Sequence, residues 1–488
     1  YGTVFGITVG FGTALIGEAV DYSIYYFVQA GRSGAQAWRE RFWPTIRLGV
    51  LTSVCGFGAL LFSGFPGLAQ LGLYAIAGLA TAAAVTRFVL PGMAQASLAV
   101  RDLEPLGWRV AGAASRLRVL CWPVLALALA AAGLVATRQD SLWTSNLSAL
   151  STVSAADAKV DMALRADLGA PDSRYLVVVR GAGPDAALAA AERAGRSLDG
   201  LVAAGLLGGY DSPARFLPSL ATQAARRDAL PPADDLRRRL AEAQRDSPLA
   251  AARLEPFVAD VAAARTAAPL TRAALPASGL GLAVDALLLL QPDGWSALIP
   301  LRPAGGEQGL VIDPEAVRAA LAAGGADGAL FVDMKAEFDR LYGDYLDEAI
   351  QLSLAGFAAI VLLLAATLRS PRRLAAVLLP LLLAVVFVVA GLHLAGVRLH
   401  LLHLIGLLLI VAVGSNYALF FDRTEDGGCP DPRTLASMLI ANLTTVVGFG
   451  TLALSTVPVL NAIGVTVGPG ALLAMLLAAV FVPRGTAR

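Results

Sequence analysis

Glu18 and Asp21 are carboxylates set inside an apolar stretch that runs from about Thr3 to Phe27. Roughly 20 apolar residues cross a bilayer, and an ionisable group well inside such a span is costly and by default functional. On a helix, Glu18, Asp21, Tyr22 and Tyr25 lie three or four residues apart and share one face. Two acids that close in a low dielectric titrate as a coupled pair, which is the chemistry of a proton carrier. Downstream, Asn416-Tyr417-Ala418-Leu419-Phe420-Phe421 repeats the layout of Asp21-Tyr22-Ser23-Ile24-Tyr25-Tyr26, with an amide in place of the acid. The candidate proton relay is therefore Asp21, Glu18, Tyr22, Ser415, Asn416 and Tyr417. The hydroxyls of Thr52, Ser53, Thr444 and Thr445 join it as groups able to bond the charged and neutral forms in turn. A structural reading stands beside each: Asp21 held permanently neutral, Asn416 as an interhelical hydrogen-bonding side chain.

The elements that must position these residues are membrane spans. The chain is 57% apolar and 15% charged with a net charge of +1, far from a soluble domain and without the basic excess of a nucleic-acid binder. Long apolar runs predict nine spans, near 3–28, 44–64, 69–90, 119–137, 349–368, 374–395, 400–421, 436–456 and 462–482. Arg32, Arg39 and Arg41, then Arg101, Arg109, Arg116 and Arg118, then Arg369, Arg372, Arg373, Arg423 and Arg433 fall in four loops that the positive-inside rule places in the cytoplasm. The polar insert after the fourth span then lies outside. Cys55, Cys121 and Cys429 make no disulfide framework, and His393, His400 and His403 lack the acidic or thiol neighbours of a metal site. No cofactor is expected.

The segment Leu51–Gly72 aligns without gaps to Leu443–Gly464, with 11 of 22 positions identical, including the Gly-Phe-Gly runs at Gly56-Phe57-Gly58 and Gly448-Phe449-Gly450. The offset is 392 there and 395 between Asp21 and Asn416. Both copies run the same way across the membrane, a parallel repeat of the kind that places coupling sites at the midplane. Gly56, Gly58, Gly448 and Gly450 are expected to let helix backbones approach. Completing the repeat puts roughly 280 further residues before Tyr1, for twelve spans in all.

Two parallel halves, a large outer domain after the first helix of the second half, and Asp-Tyr on the fourth helix of the completed repeat resemble the RND superfamily of exporters. Gly17–Tyr22, Gly414–Phe421, the paired Gly-Phe-Gly segments and Ser212–Ser219 resemble most its MMPL-type branch of predicted exporters. The resemblance implies proton-driven export from an inner membrane. Its cargo would be a lipid or other hydrophobic molecule, with acids on the fourth and tenth helices protonated and released as the halves rock. Asn416 stands where an Asp is common, so the second half lacks a titrating group there.

The expected organisation follows. Residues 1–92 hold the last three helices of a first half, 93–118 a cytoplasmic linker, and 119–137 the first helix of the second half. Residues 138–347 form an extracytoplasmic α+β domain, which the resemblance makes ferredoxin-like, and 348–488 the five remaining helices. Within the insert, strands are expected over 175–179 and 329–332, helices over 185–204 and 315–323, and a hairpin around Asp293-Gly294. No hydrolase triad or phosphate loop is present in the sequence, so the expectation is a transporter and not an enzyme. A protein-translocation accessory running on the same relay, and a non-transporting scaffold or sensor, are the competing readings. Partners are membrane lipids, protons, the hydrophobic substrate and an unknown periplasmic protein, with no nucleic acid.

Overall fold

The computed structural model describes residues 2–93, 102–138, 142–144, 151, 153, 155–167, 174–245, 251–275, 278–304, 311–326, 328–422 and 431–481. Arg101, Arg423 and Cys429 lie outside the described residues. The chain divides into two compact units, Tyr1–Val153 with Asp339–Arg488, and Ser154–Phe338.

The first unit is helical: α1 (Gly6–Arg41), α2 (Trp43–Leu60), α3 (Pro66–Ala84), α4 (Glu104–Leu117), α5 (Cys121–Thr137), α6 (Met334–Leu368), α7 (Pro371–Leu394), α8 (Leu401–Asp422), α9 (Pro432–Leu452) and α10 (Pro458–Val480). Proline stands in the first turn of α2, α3, α7, α9 and α10, where its fixed φ suits the helix and its missing N–H is not needed. Pro66 and Pro458 are equivalent positions of the repeat, so both copies start this helix with the same device. Helices stand at all nine expected spans. Seven are long and apolar enough to cross a membrane: Pro66–Met93, Glu104–Thr137 and the five from Met334 to Val480. The chain is a polytopic membrane protein. The two that fall short are α1, diluted by Glu18 and Asp21, and α2, which opens on Trp43-Pro44 and carries Arg47.

Two segments expected as loops are helical. The stretch after residue 28 continues as α1 to Arg41, broken only at Gly34, whose φ of 74° is the left-handed region glycine tolerates. Trp38 drives this by burying its ring against Tyr26, 5.0 Å away, and Trp43, 6.1 Å away. In the 93–118 linker, α4 lays Gly107 against the Pro432 carbonyl, and Arg433 pairs with Glu104 at 3.2 Å. At the centre, α8 is buried along nearly its whole length, which is why its apolar residues show no preferred face.

The second unit is an antiparallel sheet with helices against it. Strands β1 (Tyr175–Gly181), β2 (Leu207–Tyr210), β3 (Leu288–Gln291), β4 (Gly294–Pro303) and β5 (Leu330–Asp333) take the order β2-β4-β1-β5, with β3 also on β4. Alternation along β1 buries Tyr175, Val177 and Val179. Opposite them, Ala187, Ala191, Ala194 and Leu198 of helix Pro184–Ala203 share one buried face. The expected hairpin is β3–β4, closing as Gln291 pairs with Gly294 at φ 131°. The strand expected over 329–332 is β5, and the helix over 315–323 begins one residue earlier, with Asp313 capping it.

Candidate functional site

Four helices bring the predicted residues together in the first unit. On α1, Glu18 is fully buried and Asp21 is 4% exposed. They face different neighbours. Ser53 Oγ of α2 donates to Glu18 Oε1 at 2.9 Å, while Thr444 Oγ1 and Thr445 Oγ1 of α9 donate to Asp21 Oδ1 and Oδ2 at 2.8 and 3.1 Å. Gly17 and Gly448 let α1 and α9 approach closely, since a Cβ on Gly448 would lie 3.9 Å from the Gly17 Cα. Among the described residues, no Lys or Arg forms an ion pair with either acid.

One of these hydroxyls is placed to switch. Thr444 Oγ1 has one proton, yet it sits 2.8 Å from Asp21 Oδ1 and 2.7 Å from the Ala441 carbonyl. It donates to the carboxylate when Asp21 is charged, and can turn to the carbonyl and accept from Asp21 when the acid holds a proton.

The remaining predicted residues take other parts. Thr52 Oγ1 and Ser415 Oγ lie 2.7 Å apart and tie α2 to α8 rather than reaching an acid. Asn416 of α8 packs directly over Gly49 of α2, in the space a Cβ there would occupy, and makes no hydrogen bond to Asp21. Gly49, a residue the sequence did not single out, provides that room. Tyr22, Tyr25 and Tyr417 are buried and feel the charge of both acids. None hydrogen-bonds a carboxylate. Tyr25 packs against Phe420 of the second copy, with ring centroids 4.9 Å apart and planes tilted by 48°.

The Gly-Phe-Gly copies enclose Phe11, whose ring lies 6.1 Å from Phe57 and 6.0 Å from Phe449. Gly56 meets Ala412. Gly58 and Gly450 both meet open space, against the packing expectation: each stands two positions on from the first glycine of its run and points about 200° round the helix. His400 and His403 are used locally, His403 Nδ1 accepting from the His400 N–H at 3.2 Å at the start of α8.

The Ser212–Ser219 motif lies in the second unit and is structural. Ser212 accepts from the Ala214 N–H, and Ser219 from the Thr222 N–H, each capping a helix. Glu192 receives the Ser219 N–H and Oγ–H at 2.8 and 2.7 Å and the Thr222 hydroxyl at 2.6 Å. Burial alone would raise the Glu192 carboxyl, but these donors, helped by Arg196, hold it below its usual range. The motif borders a cleft of about 500 Å³ with Arg196, Arg215, Arg226 and Arg302 in its wall.

No protein family model matches the chain, and no curated protein does. Among solved structures it is similar to the crystal structure of SecDF, a translocon-associated membrane protein from Thermus thermophilus, at 15% identity and a TM-score of 0.45. The match covers 97% of this chain and 53% of that one, so the chain spans about half the length of that structure.

Proposed function

We propose that the chain is the proton-handling part of an RND-type exporter, of the MMPL-like kind, that uses the proton gradient to move a lipid or other hydrophobic molecule out of an inner membrane. One observation carries this reading: Asp21 is buried in a helix bundle, bonded among the described residues by hydroxyls of the other repeat and by no cation. A charge kept there without a counter-ion is costly, and proton binding is the function that such a site serves. Each proton crossing the full potential is worth about 2.3 kcal/mol per 100 mV. Loss of the charge turns Thr444 back to Ala441 and replaces the charge-assisted bonds to Asp21 with weaker neutral ones, so protonation of α1 weakens, without breaking, its hold on α9 and lets the halves shift.

In this reading all nine long helices cross the membrane, and the second unit faces the extracytoplasmic side. Its order β1, helix Pro184–Ala203, β2, β4, helix Pro314–Ala323, β5 is ferredoxin-like, with residues 211–291, β3 among them, inserted between β2 and β4. It would receive the cargo and needs no cofactor or catalytic group. Exposed Leu280, Leu282 and Leu290 suit a hydrophobic cargo. They suit an unfolded polypeptide equally, which is the second reading, a protein-translocation accessory.

Two measurements test this. Full-length protein in proteoliposomes with a total cell lipid extract should conduct protons down an imposed pH gradient, and Asp21→Asn should lose at least 90% of that flux, as expected for about 1.4 kcal/mol or more of lost coupling. Flux unchanged by Asp21→Asn would leave the scaffold reading. A photo-reactive amino acid at Leu282 in cells should label lipid, whereas labelled secreted polypeptide would favour the translocation accessory.

A further inference from the structure

The repeat sets up a symmetry that the site breaks at two positions. By the 392-residue offset Ser53 is the counterpart of Thr445, and by the 395-residue offset Asn416 is the counterpart of Asp21. Thr445 of α9 donates to Asp21 of α1. The mirrored contact would have Ser53 of α2 donate to residue 416 of α8, and Asn416 does lie against α2, over Gly49. Ser53 instead donates to Glu18. The counterpart of Glu18 in the second copy is Val413, buried and apolar. One copy thus reads Glu-x-x-Asp and the other Val-x-x-Asn, so both acids sit on α1 while the two hydroxyl donors, Ser53 and Thr445, remain one on each half.

Glu18 carries a second mark. Its Oε2 is buried with no hydrogen-bond partner. An ionised carboxylate strands that oxygen, and a protonated one needs fewer partners. The groups facing it are Ser53 from α2, Asp21, Tyr22 and Tyr25 from α1 itself, and Tyr417 from α8, with no cation among the described residues.

We propose that Glu18 is a second proton-binding site that replaces the acid absent at position 416, so that each half of the bundle still has one carboxylate bound to its Gly-Phe-Gly helix. Asp21 serves α9 and Glu18 serves α2. Protonation at Glu18 weakens the Ser53 bond as protonation at Asp21 weakens the Thr445 bond, and the two events loosen the two halves separately. This rests on the proton-coupled reading above, and the experiment separates the two.

Full-length wild type, Asp21→Asn, Glu18→Gln, Asn416→Asp and Glu18→Gln/Asn416→Asp are compared in proteoliposomes with cell lipid extract. Proton flux is followed by an internal pH dye, and titrating carboxyl bands by infrared difference spectra across a pH jump. Glu18→Gln keeps the size and the Ser53 acceptor, and monodisperse elution checks folding. The expected result is at least a tenfold loss of flux and loss of one carboxyl band in Glu18→Gln. Adding Asn416→Asp should bring back a band and at least a third of the flux. Wild-type flux in Glu18→Gln, an unchanged set of bands, or a double variant that regains neither would overturn the proposal, even with Asp21→Asn inactive. Wild-type flux in Asp21→Asn would overturn the proton-coupled reading itself.

Discussion

A carboxylate is useful or merely structural according to the donors around it, and the chain contains both cases. Asp21 is held by two hydroxyls, at least one of which has an alternative acceptor in its own helix, so the arrangement survives either protonation state. Glu192 is held by an N–H and two hydroxyls that fasten residues 212–222 to helix Pro184–Ala203, and it stays charged. A folded value below the ordinary 4.5 means that this stabilisation is complete above about pH 4.5 and is lost as the pH falls through the lowered value. Hydrogen exchange of residues 212–222, corrected for intrinsic rate, should be flat from pH 8 to 5 and accelerate below about pH 4.5. Glu192→Ala should remove about 1–3 kcal/mol of that protection at neutral pH, since it strands three donors. Protection unchanged in that variant would mean that the segment is held by packing alone.

At the scale of helices, the repeat is conserved where backbones meet. Gly72 of α3 would put a Cβ 2.8 Å from the Phe57 carbonyl oxygen of α2, and Gly464 of α10 would put one 2.6 Å from the Leu452 carbonyl carbon of α9. These are equivalent positions doing the same work in both copies, joining a Gly-Phe-Gly helix to the helix that follows it. Neither backbone can move aside cheaply, so Gly72→Ala and Gly464→Ala should each cost about 1–3 kcal/mol and lower the melting temperature of the detergent-solubilised protein. Gly58→Ala, with nothing within 4 Å, should melt as wild type or slightly higher, helped by alanine's better helix propensity. Equal losses at all three positions would point to a general intolerance of helix substitution.

Over the whole bundle, each half grips the other: α1 packs on α9, and α8 packs on α2. The proposed rocking of the halves would therefore slide α1 along α9. Gly17 and Gly448 lie close enough for paired cysteines to bridge that interface. In a background with Cys55, Cys121 and Cys429 replaced, Gly17→Cys/Gly448→Cys should form a disulfide under mild oxidant and stop proton flux, and reductant should restore it. Full flux through the oxidised form would mean that α1 and α9 move as one body.

The amino-acid sequence by itself determined the properties that are written locally along the chain. Hydropathy over some twenty residues marks a span wherever it occurs, and an acid inside one, such as Asp21, is visible without any neighbour. The parallel repeat is visible because identity at Gly56, Phe57, Pro66 and Gly72 survives in the second copy. β1, β5 and the β3–β4 hairpin were readable for the same reason, since alternation and an Asp-Gly turn are short-range signals, whereas β2, with Gly208 and Gly209 in its four residues, carried no such signal. Helical periodicity placed Glu18 and Asp21 on one face, but it could not say that α2 takes the first and α9 the second, because a helix face carries no record of what packs against it. Only the tertiary structure decided that, along with the seat of Asn416 on Gly49 and the helical fold of 29–41 around Trp38. Each depends on residues hundreds of positions apart, or on aromatic packing that outweighs local polarity.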